Sequence, residues 1–125
     1  MIENRISGQI IDAAYAVHSS LGPGLLESVY EEILVYELHQ REIAFSRQTK
    51  HAIRYKELLI TNAFRVDLIV ENRVIVELKA VEAILPLHKK QLLTYLRLSN
   101  YRLGLLINFN AILIKQGITR LVNDL

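Results

Sequence analysis

The sequence predicts a mixed α/β fold, with a central sheet flanked by helices. Three observations predict it. Apolar residues recur at three- and four-residue spacing from Ile2 to Val17 and again from Leu26 to Leu38. Near Phe45 that period stops, and two runs of strand-forming residues follow, Phe64–Val70 and Val74–Ala80. Helical spacing then returns between Leu85 and Leu98, ahead of further apolar runs. The order is helix, helix, three strands, helix, two strands, with a hairpin meander at the centre of a layered α/β architecture. The chain has 125 residues, a length suited to one core, so residues 1–125 read as a single domain.

Ile2, Ile6, Ile10, Ala13, Ala14 and Val17 give the first helix, which ends near Ser20. Leu21-Gly22-Pro23-Gly24 breaks it, because two glycines and a proline do not continue a helix cheaply. A second helix is expected over Leu25–Arg41, with Leu26, Val29, Ile33, Leu34 and Leu38 inward and Glu27 in its first turn, where the helix dipole favours a carboxylate. Ala52, Ile53 and Tyr55 suggest a strand, with a turn at Lys56-Glu57. Glu71-Asn72-Arg73 connects the two apolar strands as a hairpin. Leu103–Phe109 and Ala111–Lys115 read as two closing strands, and Ile118–Leu125 fits neither period clearly.

Apolar residues make up 51% and charged residues 22% of the chain, the balance of an ordinary folded protein. There is no cysteine, which excludes disulfides and thiolate zinc sites and fits a reducing compartment. Met1-Ile2-Glu3-Asn4-Arg5 lacks the apolar run of a signal peptide, and no run is long enough to span a membrane, so a cytoplasmic location is expected. The formal charge of +2 neither demands nor forbids a polyanion. Its distribution is uneven. Arg41–Lys56 holds five basic residues and one acid, and Lys89–Arg102 holds Lys89, Lys90, Arg97 and Arg102 with no acid. Scattered surface charge is the competing reading of both. No two histidines have zinc spacing, no base is partnered to Ser19 or Ser20, and the glycines form no phosphate-binding motif.

Asp67, Glu77 and Lys79 stand in the two most apolar strands. Ionised groups do not enter such strands unpartnered, because desolvation costs several kcal/mol per ion. Glu77 and Lys79 are two apart and so project from one face. Two carboxylates there repel each other unless a cation lies between them, and oxygen ligands suit Mg²⁺ or Mn²⁺. Such an ion would acidify a bound water and clamp a phosphate oxygen. A buried Lys-Glu-Asp salt-bridge cluster is the competing reading. Register separates them. Asp67 meets Glu77 only if the hairpin loop has three residues, Glu71 to Arg73, or carries a bulge; a strict two-residue loop would put them on opposite faces.

Asp67, then Glu77-Leu78-Lys79, resembles the signature of the PD-(D/E)xK nuclease superfamily. Gln91-Leu92-Leu93-Thr94-Tyr95 resembles the Gln-x-x-x-Tyr motif of its exonuclease branches. Gly24-Leu25-Leu26-Glu27-Ser28-Val29-Tyr30 matches the motif of the GxxExxY family, placed in the same superfamily, as do Phe64–Lys79 and Gly104–Phe109. The resemblance implies a restriction-endonuclease-like core. It implies that Asp67, Glu77, Glu27 and the Leu78 carbonyl hold the metal, that Lys79 is the catalytic lysine, and that Gln91 steadies it or the substrate phosphate. Val66 stands where the superfamily label has proline.

The reaction expected is hydrolysis of nucleic acid, DNA above all, by metal-activated water. His88, Lys89, Lys90, Tyr95 and Arg97 are the candidate substrate contacts, with helix packing as the alternative for Tyr95 and surface exposure for His88. A homodimer would suit the cutting of two strands. The reading of a different class is a nuclease fold used for nucleic-acid binding or protein interaction with little hydrolysis. Metal binding dependent on Asp67 discriminates the two.

Overall fold

The computed structural model describes residues 1–125. Helix α1 spans Ile2–Leu21 and buries Ile6, Ile10, Ala13, Ala14 and Val17, the stripe that its period demands. It stops where Gly22 turns to φ 71 and returns its amide to the His18 carbonyl at 2.8 Å. Helix α2, Glu27–Gln40, starts two residues later than the periodicity suggests. Gly24 has φ 104, a conformation that side chains resist. The Tyr30 hydroxyl donates to the Gly22 carbonyl and accepts the Leu25 amide, closing the turn beneath the helix start.

Strand β1, Phe45–Tyr55, and strand β2, Leu58–Val70, form a long hairpin turning at Lys56-Glu57. β2 is longer than the apolar run Phe64–Val70, because its outer half, Leu58–Asn62, is exposed and carries no burial pattern. Strand β3 is Val74–Lys79, helix α3 is Pro86–Ser99 and strand β4 is Leu103–Asn108.

The closing region departs from expectation. Ala111–Lys115 is not a strand; the chain turns there and enters a short 3-10 helix at Ile114–Gly117, and the last strand, β5, is Ile118–Val122. The reason lies in Asn108 and Phe109. The Asn108 side chain takes the Asn110 amide at 3.2 Å, which turns the chain away from the sheet. Phe109 is fully buried and stacks on Tyr30 at 4.7 Å between ring centres. β5 pairs with β4 after that detour.

One sheet results, in the order β1-β2-β3-β4-β5. Only β3 and β4 are parallel, and α3 is the crossover between them. α1 and α2 cover one face, through a core that includes Leu34, Leu68, Val76, Leu78 and Leu105. α3 covers the other through Leu92 and Leu96, packed on Val66, Ile69, Ile75 and Leu106. Gly104 permits this, since a side chain there would press on Leu92 at 3.1 Å. This is the mixed sheet between helices expected for a restriction-endonuclease-like core. No helix is long and apolar enough to cross a membrane.

Candidate active site

β2 and β3 pair only briefly. Their ladder runs Val70↔Val74, Ile69↔Ile75, Leu68↔Val76 and then ends. β2 goes on pairing with β1 as far as Leu58, and β3 goes on with β4 as far as Lys79. The two strands part, and the next residues in the same register are Asp67 and Glu77. The connection is three residues long, Glu71–Arg73, with Glu71 and Asn72 in left-handed backbone. The carboxylates therefore meet where the sheet opens.

The alternation of β2 also slips at this point. Val66 packs with the α3-side core and Leu68 with the α1–α2 core, although two residues apart in a strand should share a face. On β1, Gln48 lies opposite Asp67 with φ 51, and the ladder skips this one pair while the register on either side is unchanged. The distortion turns the half-buried Asp67 toward β3. Its Oδ2 accepts the Leu78 amide at 2.8 Å, a donor that a departing strand leaves without a backbone partner. Its Oδ1 accepts the Gln48 side-chain amide at 3.3 Å, and Gln48 also donates to Glu31 at 2.8 Å.

Glu77 is 7% exposed. Burial, then the adjoining Asp67 carboxylate, pushes its pKa up to about 9, with Lys79 pulling the other way. Lys79 is half-buried, and its carbonyl accepts the Phe109 amide at 2.9 Å, fixing its backbone against β4. Asn108, opposite Lys79 in the ladder, bonds both the amide and the carbonyl of Val81 and so pins the chain just beyond. Glu27 sits at the exposed start of α2. Its pKa is raised, first by partial desolvation and next by the charge of Asp67, with Lys79 opposing and Glu31 adding. Tyr95 is raised by burial and then by Glu77 and Asp67. Asp67 thus lies within electrostatic reach of Glu27, Glu77 and Tyr95, and Lys79 within reach of Glu27 and Glu77. A cleft of about 590 Å³ opens beside Asp67, lined by Glu27, Glu31, Glu32, Arg47, Gln48 and Arg65 among others.

Other candidates lie apart from this cluster. Gln91 is exposed, one turn before Tyr95, and no hydrogen bond joins it to Lys79. His88 accepts the Leu85 amide at 2.9 Å through Nδ1, so that nitrogen holds the start of α3. Lys89, Lys90 and Arg97 are exposed along α3, and Lys89 borders a second cleft with Asn108 and Gln116. Tyr30, three residues after Glu27, is wholly buried and serves the α1–α2 turn.

A family model of the PD-(D/E)XK nuclease superfamily matches residues 4–121. The chain belongs to that superfamily. Searches of curated proteins and of solved structures returned no match. Nucleases of this superfamily generally use divalent metals. The donor set here fits a hard ion. Asp67 and Glu77 are oxygen donors held against each other, and the Asp67 carboxylate adds to burial in raising the Glu77 pKa, a repulsion that a bound cation would relieve. No three His, Asp or Glu side chains converge closely enough to hold an ion by themselves. A carbonyl, water or substrate oxygen must complete the shell, as Mg²⁺ commonly allows.

Gln48, Arg47, Glu31 and Arg65 were not among the residues singled out from sequence. Arg47 pairs with Glu31 at 2.9 Å and Glu32 at 3.1 Å, and Gln48 ties Glu31 to Asp67. Of these, only Arg47 carries a sequence signal, as part of the basic segment Arg41–Lys56. The His51–Phe64–Tyr95 ring stack, at 5.0 and 4.4 Å, was invisible because it joins three distant elements.

Proposed function

We propose that this chain is a metal-dependent nuclease that hydrolyses phosphodiester bonds of DNA with Mg²⁺ or Mn²⁺, and that within its superfamily it is a GxxExxY protein. One observation carries the reading. Asp67 and Glu77 meet where β2 and β3 part, and Lys79 follows two residues on along β3. Asp67, Glu77 and the Leu78 carbonyl would hold the ion, with Glu27 as a further ligand to it or to its water. When bound, it would supply a Lewis acid that lowers the pKa of water and draws in a phosphate oxygen.

The protein's own groups then have separable tasks. The Leu78 amide and Gln48 hold Asp67 in a fixed orientation. Lys79 orients the attacking water or offsets charge on the phosphoryl oxygens. Gln91 reaches Lys79 or a phosphate once substrate orders its exposed side chain. Lys89, Lys90 and Arg97 attract the backbone without reading sequence, His88 through its free nitrogen adds to them, and Tyr95 borders the bound strand. A homodimer would present two such sites to two strands.

The motif supports the finer family reading through its parts. Gly24 and Tyr30 shape the turn that delivers Glu27 toward Asp67. The reading of a binding module with little hydrolysis draws on the lack of three converging acids. The test is cleavage of single- and double-stranded DNA by purified protein with Mg²⁺ or Mn²⁺. Cleavage is expected with the wild type and lost in Lys79→Ala. Equal cleavage by both rejects the role of Lys79. Calorimetry showing no Asp67-dependent Mn²⁺ binding favours the binding module.

A further inference from the structure

Beyond Asp67, β2 has no strand neighbour except β1. Residues 50–65 therefore leave the sheet as a two-stranded arm. It carries Lys50, Arg54, Lys56 and Arg65 against one acid, Glu57. The ion pairs of the protein engage Arg41, Arg47 and Arg73, so none of the arm's four cations forms one. Lys50 and Arg65 are direct cross-strand partners. Like charges facing each other across a strand pair destabilise it. Arg65 lines the cleft that contains Asp67 and Glu27. The opposite side of the arm is anchored, since in the next pair along, His51 and Phe64, the rings stack on each other and Phe64 stacks on Tyr95 of α3. One face of the arm is thus fixed to the body, and the other holds two opposed cations without ion-pair partners, of which Arg65 lines the carboxylate cleft.

We infer that the β1–β2 arm is a clamp for the phosphodiester backbone, with Lys50 and Arg65 gripping phosphates next to the one held at the carboxylate site. The inference deepens the nuclease reading and rests on it for the identity of the polyanion. It assigns the main backbone grip to the arm and not to the α3 cations Lys89 and Lys90. A phosphate between Lys50 and Arg65 turns their repulsion into two attractions. Arg54 and Lys56 extend the same positive track toward the tip. The basic arm is also poorly suited to pairing with a copy of itself along the open edge of β1.

The experiment is fluorescence anisotropy with a labelled duplex and a labelled single-stranded DNA oligonucleotide, in EDTA so that no cleavage is needed. Wild type, K50A/R65A, the charge-retaining K50R/R65K and K89A/K90A are compared across a salt series. K50A/R65A is expected to bind on the order of tenfold more weakly, with the slope of log affinity against log salt reduced by at least about 0.9. K50R/R65K is expected to restore both. K50A/R65A should unfold no earlier than wild type, because it removes a repulsion. Unchanged affinity and slope in K50A/R65A, or a larger loss in K89A/K90A, overturns the clamp. A change in oligomeric state with unchanged oligonucleotide affinity also overturns it, in favour of an arm that docks a second copy through its exposed Leu58, Leu59 and Ile60. Cleavage assays keep the two readings apart. Arm-dependent binding without cleavage sinks the nuclease and leaves the clamp. Cleavage by the wild type with arm-independent binding does the reverse.

Discussion

The two halves of β2 differ in almost every physical respect. Its inner half, Leu68–Val70, lies between β1 and β3 and is at most 4% exposed. Its outer half has β1 alone for company, and Leu58, Leu59 and Ile60 are 58%, 48% and 45% exposed. Asp67 marks the junction. A sheet interior admits only apolar side chains, because every backbone donor there already has a strand partner and no water reaches it. At the junction a donor, the Leu78 amide, is left for a side chain, and a cleft opens beside Asp67. One strand thus separates a packed stretch from the carboxylate cluster, at a boundary set by where its neighbour leaves.

Substitutions on either side of the junction should have opposite signatures. Asp67→Asn and Lys79→Ala should lower cleavage by on the order of 10²–10⁴-fold, judged from the usual worth of such groups. Their melting temperatures should stay close to wild type. Leu68→Ala, on the paired side, should cost about 2–5 kcal/mol, or roughly 8–20 °C at about 4 °C per kcal/mol, while the folded fraction retains its rate. Calorimetry beside a cleavage assay checks both. If Asp67→Asn unfolded as readily as Leu68→Ala, Asp67 would be a structural residue and the division would fail.

Glu77 sharpens the comparison through pH. Its pKa is pushed up to about 9 from an ordinary 4.5, so the folded chain keeps a proton that the unfolded chain has released. Folding takes up that proton between those two values, and the stability of the metal-free protein must fall as pH rises through the window. Glu77→Gln should flatten this slope and melt above wild type at pH ~9 in EDTA. Mg²⁺ at about one hundred times its Kd should add roughly 2.7 kcal/mol. The gain should shrink toward pH ~5, where the ion must displace the proton. A metal-induced rise in melting temperature that is equal at both ends of the range would remove Glu77 from the ligand set.

Much of this was legible in the sequence, and the remainder was not for identifiable reasons. Charge in apolar strands exposed Asp67, Glu77 and Lys79, because burial of an ion is costly enough to leave a pattern. Face-sharing reduced to a loop length, and Glu71–Arg73 has the required three residues. The outer half of β2 escaped, since an exposed arm obeys no burial period. Ala111–Lys115 misled because its apolar residues serve a turn: Ile114 is buried, while Ile112 and Leu113 are 79% and 60% exposed. Gln48 and Arg65 carry no local signal at all. Their place beside Asp67 and Glu27 depends on strand pairing, which one sequence does not declare.

Gln48 offers the smallest and most discriminating test of the junction. Its φ of 51 is a left-handed conformation that costs a side-chain-bearing residue on the order of 1 kcal/mol. It is held there by two bonds, to Glu31 at 2.8 Å and to Asp67 at 3.3 Å. Gln48→Ala loses both bonds and keeps the strain, whereas Gln48→Gly loses the bonds and sheds the strain. The glycine variant should therefore be the more stable by about 1 kcal/mol, roughly 4 °C in melting temperature. Both should need more Mg²⁺ for half-maximal cleavage, by a similar few-fold factor, because Asp67 loses the same support in each. Equal stability would mean that residue 48 is not strained in solution. A metal requirement unchanged in both would mean that the Leu78 amide alone orients Asp67, and that the distortion of β1 serves the fold and not the site.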